Sequence, residues 1–433
     1  MNVVFFGMVV IAFLTAAVRQ LMWAGAAGEA SPLETLSKAV VQSAGDSVTL
    51  AIGLIGVMTL FLGLVKVAEA GGLLRVIARL IRPLMVRLFP DVPPEHPAMG
   101  AMVLNLSANA MGLGNAATPF GIRAMQELDK LNPRPGTTTN AMALFLAINT
   151  SSVTLLPTGV IALRAAAGSA DPAGIVPTTL FATFLSTTVA ILAAKLYCRF
   201  SREEGMAPAA QRPVKAKAEE AEQGPAEDMA ERPYPAWASV IALLALASLI
   251  PLTIFFGKGI SPWIIPGLMV AFLGFGAARR VRVYEVFVEG AKEGFQVAVR
   301  IIPYLVAVLV AVGMLRASGA LDALTTWLGT VTGHVGLPGE ALPMALLRPL
   351  SGSGAYGILA SIINDPTIGP DSYVGYLVST LQGSTETTFY VIAVYFGAVR
   401  IRRMRHALAA ALTADLAGIA GAVVACQWIM RME

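Results

Sequence analysis

The sequence predicts an all-α polytopic membrane protein, and three observations predict it. Of 433 residues, 56% are hydrophobic and 13% are charged, whereas soluble domains carry about 25% charge. Apolar runs of bilayer-spanning length recur along the chain. Two further apolar pieces are broken by glycine, serine and proline, and each holds the same place in an order of segments that occurs twice.

The plain spans, in order, are Asn2–Met22, Val48–Ala68, Ala141–Leu163, Ile175–Tyr197, Trp237–Phe256, Trp263–Ala278, Ile301–Met314, Tyr373–Ala398 and Ala407–Ile429. The run Val3–Ala17 lacks a basic flank and a small-residue cleavage site, so it reads as a retained helix rather than a signal peptide. Trp237–Phe256 and Trp263–Ala278 read as a pair joined by a short loop. The broken pieces are Met99–Met125 and Leu342–Ile363. Ser201–Pro235, with five basic and eight acidic residues, is too polar to bury a core and reads as a disordered soluble linker. The expected organisation is a membrane half over 1–200, the linker over 201–235 and a second membrane half over 236–433.

Each half runs from a plain span through an amphipathic connector and a broken piece to a span with a polar patch in its middle. Lys and Arg orient the halves. "KLYCRFSR" and "AARRVR" face the cytoplasm, as do "RIRRMRH" and the connector "LLRVIARLIRPLMVRLF", which carries Arg75, Arg79, Arg82 and Arg87. The matching connector Leu321–Val335 has no Lys or Arg and falls outside. The N-terminus and the linker are then cytoplasmic, in a bacterial inner membrane. The rule is met if the broken pieces are re-entrant hairpins, which makes the units inverted-topology repeats; full crossing of those pieces is the alternative. Inverted repeats are a recurrent plan of secondary transporters, with the site at their interface near the midplane.

Irregular backbone at membrane depth is tolerable only when buried in protein or lining a wet cavity. Two hairpin tips, Asn109–Pro119 and Ser351–Gly357, and two mid-span patches, "INTSSVT" (Ile148–Thr154) and "LQGSTETT" (Leu381–Thr388), are the candidates. From the tips come Asn105, Asn109, Asn115, Thr118, Ser351, Ser353 and Tyr356, and from the patches Asn149, Thr150, Ser151, Gln382, Ser384, Thr385 and Glu386. Amides and hydroxyls both donate and accept, as binding a polar solute requires. Gly383 and the hydroxyl residues after it would let the second helix unwind. Glu386 is the carboxylate singled out as deep in a span. It either carries a proton, a cation or substrate, or forms a structural pair with Arg348 that ties the broken helix to its neighbour. Ser and Thr in membrane helices also serve as interhelical hydrogen-bonding residues.

No enzyme constellation is present: there is no HExxH and no GxxxxGK[ST], and "GLGNAATPFG" follows no strand. Without an ATP motif, transport would be gradient-driven or passive. Cys198, Cys426, His96, His334 and His406 show no metal-ligand spacing, so neither a metal nor a cofactor is expected. The net charge of +4 sits mostly at membrane edges and does not indicate nucleic acid. The expected partners are the lipid bilayer and a small polar solute, and a homo-oligomer is compatible with the sequence.

"NLSANAMGLGNAATPFGIRAMQELDKLNP" with "AINTSSVTLLP" resembles the spore maturation protein A family. "LLRPLSGSGAYG" with "GPDSYVGYLVSTLQGSTETTFYVIAVYFGAVRIRRMRHAL" resembles the spore maturation protein B family. The chain is therefore similar to a fusion of two proteins usually encoded separately, both of the nucleoside-recognition, or gate, domain group. That resemblance implies a gate-type fold of paired hairpins and broken helices. It carries over no substrate: Asn149 and Thr150 stand where an acid would be expected in the first half, and the cysteine-bearing motifs of ferrous-iron transporters are absent. Two functions follow as expectations. One is a secondary transporter or channel for a small polar, nucleoside-like solute. The other is a non-transporting scaffold or regulator of envelope or spore-type maturation that acts through a partner protein.

Overall fold

Polar punctuation sets the helix boundaries. The computed structural model describes residues 2–25, 30–112, 117–201 and 234–432. Helix α1 (Asn2–Leu21) precedes α2 (Pro32–Ala70), whose first turn is capped by Ser31 and opened by Pro32. Gly72, at φ 87°, turns the chain into α3 (Leu73–Leu88), the arginine-bearing connector. The first hairpin is α4 (Pro97–Ala110) and α5 (Thr118–Lys130). His96 Nδ1 caps α4, accepting from Ala98 N–H at 3.2 Å. Then come α6 (Asn140–Thr150), α7 (Thr158–Ala166) and α8 (Val176–Phe200).

The second half repeats the order. It runs through α9 (Ala236–Ala278), α10 (Val283–Ser318) and α11 (Ala320–Thr332). The second hairpin is α12 (Leu342–Leu347) and α13 (Gly352–Ile363), with Ser351 Oγ capping α13 at 3.0 Å from Gly354 N. The chain ends in α14 (Tyr373–Ser384), α15 (Thr388–Ala398) and α16 (Ala407–Met432).

Two expectations are corrected. Ala141–Leu163 is not one span: it divides into α6 and α7 across Ser151–Pro157. Pro157 removes a helical donor, and the hydroxyl residues before it offer the backbone competing partners. Trp237–Phe256 and Trp263–Ala278 are not a looped pair: α9 is one helix of 43 residues. The residues between the two apolar runs continue the helix, and a proline inside a helix can kink it without ending it. At 1.5 Å per residue α9 is about 65 Å long, roughly twice a bilayer core. Tyr373–Ala398 is divided into α14 and α15 at Thr385–Thr387, where unwinding was expected. The linker reading falls on 202–233, outside the described residues.

Burial is inverted relative to a soluble protein. Arg164, Asn105, Thr150, Thr179 and Thr380 are fully buried, while Phe6, Leu192, Leu196 and Leu416 face outward. That is the distribution a lipid-facing surface demands. Among the described residues, Pro32–Ala70, Val176–Phe200 and Ala407–Met430 are long and apolar enough to cross a bilayer. Helices α2 and α10 form a long pair in which Gly290 and Gly294 make a GxxxG step. A Cβ at Gly290 would lie 2.7 Å from Leu62 O, and one at Gly294 2.8 Å from Met58 O, so only glycine permits this backbone approach.

Neither half keeps its core to itself. One apolar cluster joins Met102 of α4, Met125 of α5 and Phe145 of α6 to Val391, Tyr395 and Phe396 of α15. The other joins Leu359, Leu377 and Leu381 of the second half to Val160, Ile161 and Leu163 of α7. Each hairpin is thus packed by the second piece of the other half's broken helix.

Candidate functional site

The two helix breaks meet. Glu386 N–H, in the second break, donates to Thr150 O at the end of α6 at 2.8 Å. Each break also returns to its own hairpin: Leu155 N–H donates to Ala110 O at 3.0 Å, and Phe389 N–H donates to Pro349 O at 3.1 Å. Ser151 O accepts from the Thr187 hydroxyl on α8. The unwound backbone is thereby satisfied inside the protein, as membrane depth requires.

Around the first break lies an amide cluster. Asn109 Nδ2 donates to Asn149 Oδ1 at 3.0 Å, and the Tyr395 hydroxyl donates to the same oxygen at 3.3 Å. Asn105 Nδ2 reaches Ala117 O at 2.9 Å and the Tyr395 oxygen at 3.1 Å. The Tyr395 ring stacks on Phe145, with centroids 6.0 Å apart. Gly112, at φ 74°, presses against this break, and a Cβ there would meet Leu156 O.

Around the second break lies a cation. Arg348, in the α12–α13 turn, is 6% exposed. Its Nε donates to Gln382 O at 3.0 Å, Nη1 to the Thr387 hydroxyl at 3.0 Å, and Nη2 to Thr385 O. The guanidinium therefore sits on the negative end of α14 and fills the carbonyls the break leaves open. The Glu386 carboxylate is 3.8 Å away and its side chain 43% exposed, so its contribution to the Arg348 knot is peripheral.

Several polar atoms beside the breaks are buried without a hydrogen-bond partner: Asn105 Oδ1, Ser152 Oγ, Gln382 Oε1, Thr179 Oγ1 and Asp415 Oδ1. Unpaired polar atoms are costly at depth.

The predicted residues separate into classes. Asn105, Asn109 and Asn149 come together with Tyr395. Gln382, Thr385 and Glu386 gather around Arg348. Thr150, Ser151 and Ser384 spend their hydroxyls on carbonyls of their own helices. Ser351 is a helix cap, with Ser353 Oγ 3.5 Å from its oxygen. Tyr356 stands against Gly159 of α7, and Thr118 opens α5 half-buried. Asn115 lies outside the described residues.

Sequence reasoning missed three residues. Tyr395 looked like an ordinary apolar-helix aromatic. Asp415, 3% exposed in α16 and bonded to Thr388 Oγ1 at 2.7 Å, is more deeply buried than Glu386; the signal was one carboxylate in the middle of Ala407–Ile429. Arg164, fully buried in α7, donates to Pro370 O at 2.6 Å, Asp171 O at 3.1 Å and Asp371 Oδ1 at 2.9 Å. It ties the end of α7 to the start of α14. The opposite tie joins the start of α6 to the end of α15: Arg402 N–H donates to Gly136 O at 2.8 Å, and Thr138 N–H to Arg403 O at 3.0 Å.

A family model described as "Gate: Nucleoside recognition" matches residues 51–167 and 298–402, together just over half of the chain. The chain belongs to this gate family. Each matched stretch of the gate protein contains one hairpin and one broken helix. Spore maturation protein A of Bacillus subtilis is 44% identical over 173 residues, which are 40% of this chain and 88% of that protein. Spore maturation protein B of the same organism is 46% identical over 160 residues, 37% of this chain and 89% of that protein. The two relatives match separate parts of the gate protein, as a fusion requires. Inner membrane protein YjiG of Escherichia coli (strain K12) is 35% identical over 88 residues, 19% of this chain and 55% of that one. Among solved structures, CNTnw in an outward-facing state covers all of both chains with a TM-score of 0.47 at 13% identity. The protein is a multi-pass membrane protein of nearly all-helical architecture.

Proposed function

We propose that this gate protein is a secondary transporter for a small polar, nucleoside-like solute, bound where the two helix breaks meet. One observation carries the reading: the Glu386–Thr150 backbone bond brings the breaks together amid buried polar atoms that have no partner. Asn105, Asn109, Asn149 and Tyr395 offer donors and acceptors to a heterocycle or ribose on one side. Gln382 and Glu386, beside Arg348, offer them on the other.

The reading includes inverted topology. The end of α7 is tied to the start of α14, and the end of α15 to the start of α6. Exchanging the repeats maps one tie onto the other, which supports broken helices running antiparallel about the site. The division at 201–235 is inferred from that segment's polar composition, and its cytoplasmic side, with that of the N-terminus, from the Lys and Arg distribution.

The test is uptake into proteoliposomes across a panel of labelled nucleosides and nucleobases. Flux of at least one solute is expected, with Asn149→Ala lowering it. Absence of flux for every solute, from protein shown to be folded, would overturn the reading. A second reading rests on the printed names of two relatives, which denote spore maturation: a scaffold that acts through a partner protein. A stable partner on co-purification, together with absence of flux, is the outcome it requires.

A further inference from the structure

Asp415 has no part in the solute site as described, and it is built differently from Glu386. It lies on the face of α16 that meets the second break. Three residues further along, on the same face, a Cβ at Gly418 would fall 2.6 Å from the Thr385 methyl, so the helix comes close to the break there. One carboxylate oxygen, Oδ2, accepts from the Thr388 hydroxyl at 2.7 Å. The other, Oδ1, is buried without a partner. A cavity with room for about one water opens beside it. Its walls include Arg348, Ser384, Thr385 and Asp415.

We propose that Asp415 is a proton-carrying carboxyl, binding and releasing one proton as the breaks change their arrangement. The proposal rests on the transport reading above and adds the driving ion to it. The local charges motivate it. The elements packed against Asp415 carry Lys195, Cys198 and Arg199 at the far end of α8, Tyr373 and Tyr376 at the start of α14, and Tyr390 on α15; the groups nearer the break are these. The α12–α13 turn supplies Arg348, and the α14–α15 break supplies Glu386. Helix α15 supplies Tyr395, whose hydroxyl is bonded to Asn149. Helix α8 supplies Tyr197, bonded to Thr413 at 3.1 Å. Helix α6 carries no charged residue. Glu386 is 43% exposed, so water screens its charge, whereas Asp415 is 3% exposed with one oxygen unpartnered, where an ionised carboxylate is expensive. One proton on the buried carboxylate removes that cost: the carboxylate oxygen takes a proton from water when the site opens to one side and returns it on the other. A metal cation fits poorly, because the cavity has a guanidinium and the apolar Ala345, Pro349, Leu381 and Ile419 in its walls, whereas such ions want about six oxygen ligands.

The test needs no solute. Infrared difference spectra of the purified protein, recorded across pH, should show the carbonyl stretch of a protonated carboxylic acid that disappears as pH rises. Asp415→Asn should remove that titrating band. Thr388→Val takes away a hydrogen bond to the charged form, so the midpoint should move up by about one pH unit. A spectrum with no titrating band, a band that survives Asp415→Asn, or a midpoint unmoved by Thr388→Val overturns the proposal. In proteoliposomes, Asp415→Asn should keep downhill flux and lose its acceleration by an inward proton gradient. An intact band without flux from any solute counts against the transport reading alone; flux without the band counts against the proton site alone.

Discussion

Arg348 and Glu386 look like an ion pair in the sequence, and the structure predicts that they are unequal. Arg348→Met removes the donors to Gln382 O, Thr385 O and Thr387 Oγ1. Two carbonyls at the end of α14 are then left buried without partners. Each charge-assisted bond is worth about 1.5–3 kcal/mol, and each carbonyl left buried without a partner costs about 1–3 kcal/mol. Glu386→Gln removes one carboxylate charge 3.8 Å from Nη2, on a side chain 43% exposed. A pair in that position contributes about 0–1 kcal/mol. Denaturant unfolding of the detergent-purified variants, followed by circular dichroism, measures both. The expected result is severe destabilisation by Arg348→Met and a small change with Glu386→Gln. Equal losses, or a double variant no less stable than either single one, would refute the assignment of Arg348 to the helix break.

Three further outcomes follow. Gly112→Ala places a Cβ on a residue at φ 74° facing Leu156 O; the left-handed conformation alone costs about 1–2 kcal/mol, so reduced thermal stability is expected, with retained stability refuting the contact. Arg164→Lys keeps the charge but loses the fork that holds Pro370 O, Asp171 O and Asp371 together; destabilisation by about 2–4 kcal/mol is expected, and limited proteolysis should find the 167–171 and 369–372 loops newly accessible. Burial, and then the Arg405 guanidinium, push His406 at the edge of α16 down from 6.5 to about 4. A lowered imidazole gives stability that is complete above the unfolded value and is lost as pH falls toward the folded one. Unfolding midpoints should therefore drop between about pH 7 and pH 4.5, by up to about 3 kcal/mol, and His406→Gln should flatten that slope.

The hairpins were legible because their glycine, serine and proline content is out of place in a lipid-bound run. The arginine connector α3 was legible from its charge spacing, and the α14–α15 break from Gly383 and the hydroxyls after it. The α6–α7 break was missed because Ala141–Leu163 satisfies a hydropathy window as one run. Hydropathy averages over a break that Pro157 and one backbone bond from Glu386 enforce. The α9 loop was over-read because glycine and proline weaken a helix without always ending it. Tyr395, Arg164 and Asp415 could not be placed at all. Their partners lie in other segments: Tyr395 meets Asn149 across 246 residues, and Arg164 meets Asp371 across 207. No local pattern records such contacts.

The two ties at the ends of the crossed helices have a consequence of their own. They join corresponding helix ends, yet one pairs a buried guanidinium with a carboxylate, while in the other the Arg405 guanidinium meets neutral oxygens, Thr138 O at 3.0 Å and Asn140 Oδ1 at 3.1 Å, beside main-chain bonds. Salt screens the Arg164–Asp371 pair and acts less on the main-chain bonds of the second. Corresponding helix ends fastened by unlike chemistry therefore differ in how strongly ionic strength loosens them.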